Sequence, residues 1–173
     1  MTTEPKFIPK EAVQVTLEQD HVQFRAKMID CVGYLIPGAL GITEEGQERM
    51  VKTPWSDQEM PFSQAAEIGT HKVIAEHSTI GIVVTTDGSI TDLDRESYVA
   101  AEGRVITELR ELGKPFIVLM NTAKPRSEEA QTLCRSLSEM YDVPVTPVNA
   151  QQLRMEDVET IIHALLEEFP VHE

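Results

Sequence analysis

TIGIVVTT, residues 79–86, is a short β-branched run, the pattern of a strand buried on both faces. KPFIVLMN at 114–121 repeats it, and VPVTPVNA at 143–150 gives a third strand, interrupted by Pro147. The intervening segments have a helical period. Residues 95–112 place Tyr98, Ala101, Val105, Ile106 and Leu109 on one face, and Gly113 follows as a stop signal. Residues 127–140 do the same with Leu133, Leu137 and Met140, and residues 155–168 with Val158, Ile161, Ile162, Leu165 and Leu166. Strands that alternate with helices imply right-handed crossovers and a largely parallel sheet covered on both faces.

Upstream the pattern changes. Residues 7–17 end in alternating apolar positions and residues 22–32 alternate through Val22, Phe24, Ala26 and Met28, with the polar turn EQDH between them. This spacing predicts a β-hairpin whose second arm adds one antiparallel edge strand to the sheet. Residues 34–64 are punctuated by Pro37, Gly38, Gly41, Gly46, Pro54 and Pro61, and are expected to form one long switch-like loop. Residues 63–77 are expected to be helical, with Ser63 as the N-cap, small Ala65 and Ala66, and a packed face from Ile68, Val73 and Ile74. The expected fold class is therefore α/β, a doubly wound, mostly parallel sheet.

Composition bounds the function. The chain has 173 residues, 41% hydrophobic and 25% charged, enough for a core without disulfides. Fifteen Lys and Arg against 29 Asp and Glu give a net charge of -14, which disfavours nucleic acid and anionic lipid as direct partners. No apolar run approaches the ~20 residues of a spanning helix, and MTTEPKFIPK has no apolar stretch of a secretory signal. Cys31 and Cys134 read as buried, reduced thiols. His71 and His77 are six apart, the wrong spacing for a shared metal face. Trp55 is a candidate assembly anchor.

Two motifs carry chemistry. In MIDCVGY, residues 28–34, an apolar strand delivers Asp30 at its C-terminal end, with Gly33 three positions on. Ligands of open α/β sheets bind outside the carboxyl ends of strands. There Asp30 can hold Mg²⁺ through water, and Gly33 lets backbone approach a γ-phosphate. The plainer reading is an Asp capping a turn. In NTAKP, residues 121–125, Asn121 opens a loop where nucleotide-switch proteins read guanine with an Asn-Lys-x-Asp tetrad. The position of the final Asp is Lys124, a donor only, which cannot accept the N1 and N2 hydrogens of guanine. The plainer reading is a strand-to-helix loop. Thr2 and Thr3 precede the first hairpin arm and gain meaning as Mg²⁺ and γ-phosphate sensors only through Asp30. Asp87-Gly88 reads as a loop start. No G-x-x-x-x-G-K-[ST] phosphate loop occurs in the sequence, so a strand, that loop and a helix are expected to precede Thr2 in a complete domain.

The strings MTTEPKFIP, IDCVGYLIPGALG, MVKTPW, AAEIGTHKVIAEHSTIGIVVTTDGSI and GKPFIVLMNTAKP, with EFPV near the end, closely resemble the ATPase-domain family of stage IV sporulation protein A. The resemblance covers essentially the whole chain. It implies a P-loop NTPase of the translation-factor branch that uses ATP and Mg²⁺, with residues 1–173 a single partial domain truncated at its N-terminus. It implies Asp30 as the Walker B carboxylate, Thr2 and Thr3 as hydrolysis-supporting threonines, and Asp30 and Thr3 at the metal. Gly33, Asn121, Thr122 and Lys124 would face the nucleotide, and Tyr34 stands where many switch GTPases carry a catalytic Gln. The resemblance further implies hydrolysis-driven self-assembly of the basement layer of the bacterial spore coat. The homopolymer would lie in the cytoplasm, on the mother-cell side of the forespore outer membrane. It would carry other spore coat proteins and be anchored by a small amphipathic membrane peptide. Without the phosphate loop the isolated chain is expected to be inactive. The alternative is an interaction module without nucleotide chemistry; a true GTPase is disfavoured by Lys124.

Overall fold

A computed structural model describes residues 9, 11–17, 22–39, 41–44 and 46–169. These fall into two units, one drawn from 1–35 and 39–78, the other from 36–38 and 79–173.

In the first unit the period-two segments form the expected hairpin. Strand β1 (Val13–Leu17) pairs antiparallel with β2 (Val22–Ala26), with Val15 opposite Phe24. Burial grows along β1, from an exposed Val13 to a buried Leu17. The hairpin is shorter than its alternation suggested: residues 27–36 are irregular. It is also a two-stranded sheet of its own, so the antiparallel edge strand expected for the parallel sheet is not found among the described residues.

The segment expected to be one long loop instead carries two hairpins, β3 (Thr43–Glu44) with β4 (Gln47–Glu48) and β5 (Met50–Thr53) with β6 (Ser56–Pro61). Thr53 faces Ser56 across Pro54-Trp55, so Pro54, one of the residues that suggested a loop, sits in a tight turn. Helix α1 (Phe62–Lys72) starts on Pro61, and its last turn runs into a π-helical turn over Val73–His77. Ser63 is not the cap; its hydroxyl is bonded to the Glu48 carboxylate. Ala65, Ala66, Thr70, Val73 and Ile74 are the buried face, close to the expected one. Trp55 lies against α1 at Gly69, where a Cβ would stand 3.2 Å from the indole ring.

The second unit is built as the alternating pattern predicts. Strand β7 (Gly81–Thr86), helix α2 (Glu96–Glu111), β8 (Phe116–Asn121), α3 (Glu128–Tyr141), β9 (Val145–Val148) and α4 (Met155–Glu167) follow in order. The sheet is wholly parallel, ordered β7-β8-β9, with Thr86 beside Asn121 and Asn121 beside Val148. Side chains alternate across β8, so Ile117 and Leu119 pack with Val148 and Ile161 of α4. On the other face Met120 packs with Ala130, Cys134 and Leu137 of α3. Strand β8 is thus buried on both faces.

Strand β7 is not. Val83 and Thr85 are buried, but Ile82 and Val84 are 40% and 62% exposed, because α4 lies over β8 and β9 rather than over this edge strand. Pro147 fits β9 because that strand too is at an edge, where a missing N–H costs no ladder bond. Met140 is exposed rather than on the inner face of α3, where Ala130 and Cys134 take its place. Of the two cysteines expected to be buried, Cys134 is and Cys31 is exposed.

Candidate functional site

Parallel strands in one register bring their carboxyl ends out on the same side. Here that register juxtaposes the ends of β7, β8 and β9 at Thr86, Asn121 and Val148. Three polar segments emerge there, beginning at Asp87, Thr122 and Asn149, and their side chains tie them together.

Thr122 is fully buried. Its hydroxyl donates to Asp87 Oδ2 at 2.5 Å and accepts from the Lys124 backbone N–H at 3.2 Å. Ser89 donates through Oγ to Asp87 Oδ1 at 2.6 Å, and through its backbone N–H to the same oxygen at 3.0 Å. The Ser89 hydroxyl in turn accepts from the Ala123 N–H at 2.9 Å. Partial burial works against the Asp87 carboxylate. The hydrogen bonds from Ser89 and Thr122 outweigh it and hold the carboxyl below its usual range. On the β9 side, Asn121 Oδ1 accepts from the Ala150 N–H at 2.9 Å, and the Thr122 N–H donates to the Val148 carbonyl at 2.8 Å.

Three of the expected nucleotide-facing residues, Asn121, Thr122 and Lys124, therefore lie in one braced loop. Their roles in it differ. Asn121 and Thr122 spend their side chains holding the loop, while the Lys124 side chain is exposed. An ammonium offers donors only. It fits the ring-nitrogen acceptors of adenine and has nothing to offer the N1–H of guanine.

Asp30 and Gly33 belong to the first unit. Strand β2 ends at Ala26, so Asp30 stands in the irregular segment beyond it rather than at the end of a strand, and it is exposed. The alternation that suggested a continuing strand, Met28 onward, runs through residues with no ladder partner. Gly33 has φ +79°, a left-handed conformation that favours glycine, and a Cβ there would meet no atom of the described residues within 4 Å. Thr2 and Thr3 lie outside the described residues. No group of three or more His, Cys, Asp or Glu is placed to hold a metal among the described residues. A single exposed carboxylate suits a Mg²⁺ that keeps most of its water, not an all-protein cage.

Sequence reasoning misses Ser89, Asn149 and Ala150 and takes Asp87-Gly88 as a loop start; Asn149 donates through Nδ2 to the Ala123 carbonyl at 3.5 Å. The available signal was positional, since a polar residue follows each of the three strands directly. Gly88 sustains the turn with φ +86°, and a Cβ there would stand 3.0 Å from the Arg95 nitrogen.

The family profile of the stage IV sporulation protein A ATPase domain matches residues 1–170. Stage IV sporulation protein A of Clostridioides difficile (strain 630) is 53% identical over 173 residues. The proteins of the same name from Bacillus anthracis and Bacillus subtilis (strain 168) are each 49% identical over 173 residues. In each case the alignment covers 100% of this chain and 35% of the relative, so the chain spans about a third of the relatives' length. No solved structure matches.

Proposed function

The chain belongs to the stage IV sporulation protein A ATPase-domain family, and on that premise we propose that it is part of an ATPase whose hydrolysis drives self-assembly of the basement layer of the spore coat. The observation that carries the nucleotide part of this reading is the braced Asn121–Lys124 loop at the carboxyl ends of the strands, with the Lys124 side chain exposed. At the edge that carries N1, its donor chemistry suits the N1 acceptor of adenine and not the N1–H of guanine.

In this reading Asp30 would hold Mg²⁺ through water and Gly33 would let backbone approach the γ-phosphate. Thr2 and Thr3 support hydrolysis, with Thr3 near the metal. Asn121 and Thr122 hold the base loop, and Lys124 donates to the base. ATP with Mg²⁺ would supply the phosphoanhydride bond whose cleavage drives conversion to an assembly-competent form. The partners are further copies of the protein, other coat proteins and a small amphipathic membrane-anchoring peptide, at the mother-cell side of the forespore outer membrane. No helix among the described residues is long and apolar enough to cross a membrane. The net charge of -14 speaks against nucleic acid as a partner.

The test is Mg²⁺-dependent turnover of ATP and GTP by the full-length gene product, with sedimentation to follow assembly. ATP turnover well above GTP turnover, with turnover and assembly both lost in Asp30→Ala, is the expected result. Assembly that proceeds unchanged without turnover would replace the ATPase reading with that of an interaction module.

A further inference from the structure

The loop that would read the base is held by side chains, one of them, Ser89, outside the loop. Ala123 and Lys124 have no ladder partners, yet both backbone N–H groups are bonded to side chains, to Ser89 Oγ at 2.9 Å and Thr122 Oγ1 at 3.2 Å. Both of those hydroxyls donate to one carboxylate, that of Asp87, at 2.6 and 2.5 Å. Each hydroxyl has one proton. Because Asp87 takes both protons, the hydroxyl lone pairs are left to face the two amides. An amide or a protonated acid at 87 would not impose that polarity. Thr122 is fully buried, so its hydroxyl has no water to turn to.

We propose that Asp87, acting through Ser89 and Thr122, is a positioning residue that presets the 122–124 loop and thereby sets how well the Lys124 side chain discriminates between purine bases. This inference rests on the nucleotide-site reading above. Asp87 itself need not touch the nucleotide. Charge-assisted hydrogen bonds are stronger than neutral ones, and two of them converge on a carboxylate only partly in water. A loop fixed before the ligand arrives loses less entropy on binding and holds its donor in one place. A loose loop would let the Lys124 ammonium wander, and selectivity for adenine would fall more than the fold suffers.

The experiment uses the whole chain in its full-length protein, in wild type, Asp87→Asn, Ser89→Ala and Ser89→Thr forms. Amide hydrogen exchange is followed over 116–124, and ATP and GTP are titrated separately. In Asp87→Asn and Ser89→Ala, exchange around Ala123 and Lys124 is expected to accelerate about tenfold, the usual scale for a lost charge-linked hydrogen bond. Exchange at Val118 and Met120 in β8 should stay unchanged, and the ratio of ATP to GTP affinity should fall several-fold. Ser89→Thr, which keeps the hydroxyl, should restore both. Unchanged loop exchange, or faster loop exchange with an unaltered nucleotide ratio, overturns the positioning role while leaving the site reading intact. A wild-type protein that responds to neither nucleotide overturns the site reading itself and the role with it. Uniformly faster exchange through β8 would mean that the substitutions act on the fold, and would overturn the role as well.

Discussion

Arg95 and Glu102 form an ion pair at 2.7 Å on α2, with Glu102 almost fully buried. Tyr141 donates its hydroxyl to the same carboxylate oxygen at 2.7 Å, and Arg95 also donates to Thr85 at 3.2 Å. These bonds tie α2 to β7 and to the end of α3. Removing one partner of a buried pair leaves an uncompensated charge, so Arg95→Ala is expected to cost about 3–5 kcal/mol, read from urea unfolding. Burial, and then the Glu102 carboxylate, push the Tyr141 phenol up to about 12. A phenol raised in the fold stabilises it fully below its ordinary value near 10, and that contribution disappears as pH rises through about 12. Tyr141→Phe should therefore flatten the loss of stability between those values, measured by urea unfolding across the alkaline range. None of this network was legible in sequence. Glu102 lies in a helical repeat between Ala101 and Gly103, with nothing local to mark it, and only packing makes it an interior residue.

Among the elements, β7 tests how far a pattern can be read. Its β-branched run GIVVTT resembles that of a strand covered on both sides, yet Val83 is 6% exposed and Val84 is 62% exposed. Val83→Ala is expected to cost about 2 kcal/mol from lost burial and the cavity left behind. Val84→Ala in the same chain should stay within about 0.5 kcal/mol, as compared by thermal or urea unfolding. The turn that follows β7 is more demanding. Gly88→Ala meets both a positive φ and backbone at 3.0 Å, and is expected to destabilise by more than about 1 kcal/mol. The misreading of residues 34–64 has the same origin. Gly and Pro mark turns, but they do not say whether the segments between them pair. In β5 and β6 they do, around the Pro54-Trp55 turn, and that pairing is a contact between strands that punctuation alone does not state.

For the whole molecule, the order of protection against hydrogen exchange should follow strand position. Strand β8 is paired on both sides and buried on both faces, so the amides of Val118 and Met120 are expected to exchange most slowly. The two-stranded β1–β2 sheet should exchange early, since an isolated hairpin is marginal in water. Mass spectrometry of exchanged peptides distinguishes the two, and equal protection would show that the hairpin is held by more than its own pairing. At the same scale, the charge of -14 predicts no measurable binding of DNA fragments at low salt, checked by fluorescence anisotropy.

Period and punctuation alone determined the alternating strands and helices of residues 79–167 and the parallel order they imply, because a two-residue or 3.6-residue apolar repeat is a local property. Family membership was legible for the same reason, in long strings of residues. So was the donor-only chemistry of Lys124, which needs no coordinates. Tertiary structure alone decided which strand face stays open, that Asp30 stands beyond its strand, and that Asp87, Ser89 and Asn149 converge on the 121–124 loop. Those depend on register between strands some thirty residues apart, where hydrogen bonds such as Thr122 to Asp87 form only after the sheet has aligned its carboxyl ends.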